Sequence, residues 1–487
     1  MSLKKNQIFE TTIENLSSDG SGVAHSPDGE AVFIPGAAPG DEARVRIVKD
    51  CKRYAFGILD EVLTPSPDRI PVDCAVAGPC GGCSLRHLDY AAELRAKQEN
   101  VADAFARIGG LDVPVLPIVG SPEVNRYRNK VQFPVGVDKS GKPCIGFYAG
   151  RTHRIVPCPD CRLQPGVLNE IGNALCAFFA EKGIQPYSEE TGRGLVRHIF
   201  LRRGAHSGQI MVCLVCTRAK LPSAEELCTR LKAQFAEITT ILLNVNAKNT
   251  NVILGTETHT LYGPGYIEDT LCGVPVQLGP LSFYQVNTLA AEQLYGIAAQ
   301  YAQLTPDDLL LDLYCGMGTI GLSMAAHCRE LIGVEIVPEA IESAKANAAR
   351  MGADVAAKSR FFCADAGQAA TRLAAEGLHP DIVMLDPPRK GCDEATLSAV
   401  VRMSPRRVVY VSCNPATAAR DAAWLEQNGY HAEKVQPVDL FPRTRHCEAV
   451  LLLTKLNVER HIEVDVSMDE LDVTAAESKA TYNEIRD

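Results

Sequence analysis

The sequence predicts a chain of several domains that ends in a doubly wound α/β domain, and three observations carry that expectation. From about residue 300, apolar strand-like runs alternate with helical periodicity, the pattern of a parallel sheet. The first 60 or so residues instead hold short apolar stretches broken by turn signals, which suits a small β-barrel. Between them lies a long stretch of mixed α+β character. The expected divisions are 1–62 for the barrel, 70–290 for the central domain, 291–455 for the α/β domain and 456–487 for an acidic tail. A chain of 487 residues that is 46% hydrophobic and 22% charged has material for several cores and is not a disordered polymer.

In the barrel, Val32-Phe33-Ile34 and Ala43 to Val48 read as strands, with turns at Asp19-Gly20, Asp28-Gly29 and Pro39-Gly40-Asp41. The spacing suits five strands. Arg44, Arg46, Lys49, Lys52 and Arg53 add a basic edge, which alone favours a solvated face slightly over an RNA contact. Thr64-Pro65-Ser66-Pro67 reads as a linker, and Tyr90 to Ile108 as a helix. Two basic stretches follow, Arg126 to Lys130 and Arg197 to Arg203. Arginines beside aromatics suit phosphate contact and base stacking, and equally a solvated sheet face. In the last domain the expected strands are Leu309 to Leu313, Leu331 to Glu335, Arg360 to Cys363, Ile382 to Leu385 and Val408 to Ser412. A helix spans Pro338 to Met351, and an antiparallel pair near Ala432 to Pro437 and Ala449 to Leu453 closes the sheet.

The opening residues lack the apolar run of a signal peptide, and no run approaches the ~18 apolar residues of a membrane span. A cytoplasmic protein is therefore expected, with no membrane and no obligatory protein partner. Its 18 cysteines then stay reduced, and those scattered singly pack as small hydrophobes. The net charge of −10 argues against a nucleic-acid partner. The tail from Leu456 carries nine acidic residues against three basic ones, however, so the rest of the chain holds only about −4. Distribution matters more than the total.

Leu309 to Gly321 is a strand, a glycine-rich turn and a helix start: Gly316, Gly318 and Gly321 fit G-x-G-x-x-G, and Glu335 follows at the end of the next strand. Such glycines let backbone approach a ligand, and the acid takes ribose hydroxyls. This fits NAD as well as S-adenosylmethionine. Asp312 favours the second, because a carboxylate there repels a pyrophosphate and can hold the methionine ammonium. Asp386-Pro387-Pro388-Arg389 follows the fourth strand, and Ser412-Cys413-Asn414-Pro415 the fifth, both at the carboxyl edge where ligands bind. Asp439 to Glu448 brings a further carboxylate to the last strand. A thiol and a carboxylate at one edge suit covalent activation of a weak carbon nucleophile followed by proton removal. Arg389 or a cationic cofactor would favour the thiolate.

With these motifs in place the chain resembles the RNA 5-methyluridine methyltransferases, specifically their iron–sulfur 23S ribosomal RNA branch, over roughly residues 5 to 455. Further matches are Gly20-x-Gly22-Val23 with Phe33-Ile34-Pro35-Gly36 of a TRAM-like RNA-binding barrel, Phe283-Tyr284-Gln285-Val286-Asn287, and Phe441-Pro442-Arg443-Thr444. The resemblance implies that Gln285, Tyr314, Glu335 and Asp386 bind S-adenosylmethionine alongside Asp312, Gly316 and Gly318. It implies Cys413 as nucleophile and Glu448 as the base at C5. It also implies a [4Fe–4S] cluster on Cys74, Cys80 and Cys83, with Cys161 as fourth ligand and Cys158 as a rival; on chemistry alone zinc fits too. The expected partner is 23S ribosomal RNA. A tRNA uridine-C5 methyltransferase is the runner-up, although such enzymes commonly lack the barrel and the cluster. A non-catalytic RNA-binding protein and an NAD oxidoreductase are the readings from other classes.

Overall fold

A computed structural model describes residues 3–456 apart from Arg151 and Asn249. The expected acidic tail therefore lies, beyond Leu456, outside the described residues. Among the described residues no helix is long and apolar enough to cross a membrane.

The N-terminal sheet has six strands rather than five, in the order Ile8–Thr12, Glu42–Asp50, Tyr54–Thr64, Ala31–Pro35, Ser21–His25, Asn15–Leu16. The extra strand is the two-residue Asn15–Leu16, too short to show an alternating pattern in sequence. Period-two alternation turns Val32, Ile34, Val45, Ile47 and Ala55 into one core. Of the expected basic edge, Arg44 pairs with Glu10 and Glu61, and Arg46 with Asp60.

The central sheet runs Glu257–Tyr262, Ile238–Val245, Ile210–Cys216, Val196–Arg203, Lys130–Val137, Pro143–Tyr148, Ile155–Pro157. Helices Gly166–Glu181 and Ala224–Gln234 cover it with a core that includes Phe133, Phe179 and Leu243. Here Arg126, Arg197 and Arg202 depart from both readings of the basic stretches. Val196–Arg203 is buried along nearly its whole length. Arg197 donates to the Asn246 and Lys248 carbonyls, and Arg202 to those of Gly279 and Ser282. Arg126 donates to the Cys161 and Gln164 carbonyls. These arginines fasten loops, a use that alternation cannot distinguish from exposure.

The C-terminal sheet matches the expected strands closely. Its order is Ser359–Cys363, Glu330–Glu335, Leu309–Leu313, Ile382–Leu385, Arg407–Ser412, Glu448–Lys455, Tyr430–Val438, with the first five parallel and the last two antiparallel. The order reverses between Leu309–Leu313 and Ile382–Leu385, which opens a crevice at their carboxyl ends. The expected division at residue 70 does not follow the packing. Val101 and Phe105, from the helical run that begins at Tyr90, join the core of this sheet. Backbone bonds link Leu116 and Val119 to Val435 and Pro437, adding an edge to the final strand.

Candidate active site

One cavity of about 1480 Å³ opens at the carboxyl edge of the C-terminal sheet and reaches across to the central domain. Its wall includes Gln285, Tyr314, Gly316, Glu335, Asp386, Cys413 and Glu448, so the structure brings together seven of the nine residues that the sequence assigned to cofactor and catalysis. Asp312 and Gly318 are set back from it. Asp312 is buried beneath the glycine turn, where its Oδ2 accepts the Gly321 amide at 3.0 Å and its Oδ1 has no partner. Its role here is to hold the turn rather than to face a ligand. Gly318, at φ +79°, packs so closely that a Cβ would sit 3.1–3.2 Å from Leu322, Ala344 and Phe361.

The turn's shape explains the exposed part of the wall. Tyr314 adopts a left-handed φ of 66°, and Gly316 follows at 56°. Glu335 accepts the Gly316 amide at 3.2 Å through Oε2 and the Val337 amide at 2.9 Å through Oε1. Its carboxylate is thus fixed at the strand end beside the turn.

The second half of the wall is a pair of interlocked loops. Asn414 caps the helix Pro415–Gln427, and its Nδ2 donates to the Arg389 carbonyl at 2.9 Å. Thr417 donates to the same carbonyl, while Arg420 reaches the carbonyls of Lys390 and Cys392. The loop after Asp386 is therefore bound along its length to the helix that follows Cys413. The ladder sets Ser412 opposite Ala449, so Cys413 and Glu448 fall next to each other at the ends of neighbouring antiparallel strands.

Burial controls the charges. It pushes the Asp386 carboxyl up to about 7, and pushes Glu448 up to about 8 with help from Asp386. Asp312 is likewise raised to about 8. The Cys413 thiol goes up to about 11, from burial first and then from Glu448 and Asp386, against a downward pull from Arg389. Arg389 donates to His446 Nδ1 at 3.0 Å, and His446 is pushed down to about 4, so it stays neutral. A site this rich in unwilling carboxylates suits a cationic ligand. Arg128 and Lys130, from the first basic stretch, line it as well, and so do Arg445 and His446, which were not singled out from sequence as site residues. For Arg445 and His446, their place between the Phe441-Pro442-Arg443-Thr444 motif and Glu448 was the available signal.

A second cavity, of about 250 Å³, is lined by Cys74, Cys80, Cys83, Cys158 and Cys161 with Arg86 and Arg128. The sequence separated these cysteines by up to 87 positions, and the fold gathers them. Among the described residues no three His, Cys, Asp or Glu side chains stand close enough to hold a single metal ion. Arg86 is buried, with Nη1 on Asp73 and Asn125 but Nε and Nη2 unpartnered. A buried cation with free donors beside five thiols is suited to an anionic thiolate-bound group.

Comparison with known proteins follows the same lines. The family model described as tRNA (Uracil-5-)-methyltransferase matches residues 206–456, and that of the TRAM domain matches residues 3–59. A protein from Halalkalibacterium halodurans, named as an uncharacterized RNA methyltransferase, is 43% identical over 456 residues, 93% of this chain and 98% of its own. A Listeria monocytogenes protein of the same description is 43% identical over 455 residues, again 93% and 98%. Among solved structures, the Pyrococcus abyssi tRNA (uracil-54, C5)-methyltransferase in complex with S-adenosyl-L-homocysteine superposes with a TM-score of 0.73 at 26% identity. That match covers 92% of this chain and 100% of the other.

The raised carboxyls make a prediction about stability. Glu448 keeps its proton in the folded state up to about pH 8 but loses it near 4.5 when unfolded. Between those values the folded state binds more protons, so this group lowers stability as pH rises. Glu448→Gln removes that loss. Its stability relative to the parent, read by urea unfolding, should improve between pH 5.5 and 7.5 by up to ~1.4 kcal/mol per pH unit. A difference that does not change with pH would contradict the burial argument.

Proposed function

The chain belongs to the tRNA (uracil-5-)-methyltransferase family, and from that premise we propose that it methylates C5 of a uridine through a covalent bond between Cys413 and C6 of the base. It is an S-adenosylmethionine-dependent RNA methyltransferase that carries a TRAM domain at residues 3–59. The observation that carries the finer reading is the placement of Cys413 beside Glu448 on the wall of the large cavity. S-adenosylmethionine supplies the methyl group, held by Gln285, Tyr314, Gly316, Glu335 and Asp386.

C5 of uracil is a poor nucleophile. Cys413 Sγ adds as a thiolate to C6, which turns the ring into an enolate whose C5 can take the methyl group as its bond to the sulfonium sulfur breaks, leaving S-adenosylhomocysteine. Glu448 then removes the C5 proton, the C6–S bond breaks, and 5-methyluridine leaves with the thiolate restored. A thiol raised to about 11 needs help to ionise near neutral pH. Burial is the larger cause, with Glu448 and Asp386 adding to it, and a positive charge bound near those carboxyls would favour the thiolate as Arg389 already does. Glu448, raised to about 8, is matched to exchanging a proton near neutral pH.

For the second cavity we propose a [4Fe–4S] cluster on Cys74, Cys80, Cys83 and Cys161, with a structural role, since methyl transfer moves no electrons. A cubane is larger than an ion and takes its four thiolates at its corners. The proposed substrate is a uridine in 23S ribosomal RNA, because a barrel and a central domain ahead of the catalytic domain give surface for a folded RNA. Flipping a base out of such a fold costs a few kcal/mol, which that surface offsets.

RNA carrying 5-fluorouridine at the target has no proton for Glu448 to take. It should give a stable protein–RNA adduct in the presence of cofactor, and Cys413→Ala should give none; an adduct in that variant removes the assignment. Protein purified without oxygen should hold about four irons per chain. Cys161→Ser should lose them and Cys158→Ser should keep them, whereas stoichiometric zinc would overturn the cluster. Deleting the gene and mapping 5-methyluridine by mass spectrometry should remove a mark from 23S RNA. Loss confined to tRNA would place the substrate there and leave the chemistry intact.

A further inference from the structure

The cavity that gathers the five cysteines is lined by four cations, Arg86, Arg128, Lys130 and Arg162, and among the described residues by no carboxylate. Three of these cations have other surroundings. Arg128 and Lys130 also line the larger cavity, and Arg162 is 41% exposed and paired with Asp160. Arg86 lines the cysteine cavity alone, and only 3% of its side chain is exposed.

The Arg86 guanidinium is half satisfied. Its Nη1 donates to Asp73 at 2.7 Å and to Asn125 at 3.0 Å, whereas Nε and Nη2 have no partner. Asp73 precedes Cys74, and Arg86 follows Cys83 by three residues, so the satisfied corner ties two cysteine-bearing segments together. A clamp of that kind accounts for Nη1. It leaves the Nε–Nη2 edge, a planar fork of charged donors, dry and without acceptors, which is a destabilising arrangement. Burial pushes the neighbouring Cys83 thiol up, and the Arg86 charge pulls against that rise.

We propose that the Nε–Nη2 edge of Arg86 donates to sulfur of the cluster and raises its reduction potential. The inference rests on the [4Fe–4S] reading of the cysteines. A cubane held by four thiolates is an anion, and an added electron makes it more negative. Positive charge and N–H donors at its sulfurs therefore favour the reduced form. Arg86 takes no part in methyl transfer. A cluster that is harder to oxidise is one that stays intact, which is what a structural role asks of it.

The test uses holoprotein purified without oxygen and titrated against redox mediators, followed by the paramagnetic signal of the reduced cluster. Arg86→Gln keeps a donor but removes the charge, and should shift the potential downward. Arg86→Lys keeps the charge and should lie closer to the parent. Arg162→Gln removes a charge that solvent already screens, and should shift it least. A chelator should strip iron from Arg86→Gln roughly 10- to 100-fold more readily, the range for losing an outer partner of a metal site. A mere clamp would speed that loss without moving the potential of the clusters that remain. An Arg86→Gln potential equal to the parent's would therefore overturn the proposal, as would a shift no larger than that of Arg162→Gln. If Arg86→Gln loads no cluster, Arg86→Lys decides: iron bound there supports the role of the charge, and an empty site there as well overturns it. Stoichiometric zinc in the parent would instead remove the cluster itself, so the two failures are distinguishable.

Discussion

One buried ammonium ties the two halves of this molecule together. Lys97, on the helix Tyr90–Asp103, is almost wholly excluded from solvent and donates to Glu93, Asp439 and the Phe441 carbonyl at 2.7, 2.8 and 3.1 Å. Tyr90 donates to the other oxygen of Asp439. Glu93 accepts the Arg443 amide, and the Arg443 guanidinium donates to the Leu88 carbonyl. The network thus fixes residues 439–443, the segment that delivers Glu448, against a helix more than 300 positions earlier. Removing one member would leave a buried charge uncompensated, a cost of about 3–5 kcal/mol. Replacing the whole set by apolar residues would cost less, so its value lies in specifying one position for the loop rather than in stability.

That fixed loop explains how a reaction edge arises from elements with no sequence proximity. Asn287 donates to Ser121 and to the Leu440 carbonyl, and Asn129 donates to the Gln285 carbonyl. The segment bearing Gln285 is therefore held by the same loop from the other side. Arg202, buried and without an acidic partner among the described residues, anchors the preceding turn at Gly279 and Ser282. Rigid placement from several directions is what a reacting geometry requires, since small displacements of catalytic groups are costly in rate. The carboxyls of Asp386 and Glu448 are buried in the same wall, which raises both well above the usual carboxylate range.

Much of this was legible in the sequence because its signals are local. The strand–turn–helix at Leu309 to Gly321 and the run Ser412 to Pro415 encode their own backbone, and parallel strands buried on both faces read as continuous apolar runs. What escaped depends on partners distant in the chain. Nothing near Arg197 or Arg202 shows that their acceptors are carbonyls of later loops. Nothing near Asp312 reveals that Gly321 would occupy its carboxylate, although a glycine nine residues on, where a Cβ would lie 2.7 Å from that oxygen, is the trace it leaves. The joining of residues 111–119 to the catalytic sheet was hidden for the same reason: an edge strand that pairs through isolated bonds has no periodicity of its own.

The partition between the two cavities shows how closely the central domain and the reaction edge are integrated. Gly82, Arg128 and Lys130 line both. Leu85, two residues after Cys83, donates its amide to the Arg443 carbonyl, so the cysteine-bearing segment is bonded directly to the loop that Lys97 anchors. Lys130 is pushed down to about 8 by burial, with Arg202 and Arg128 adding repulsion, and among the described residues it has no acidic partner. Positive charge left unneutralised inside a wall is costly unless something anionic stands on one side. Both groups proposed for the flanking cavities, a nucleic-acid substrate and a thiolate-bound cluster, would bring that charge.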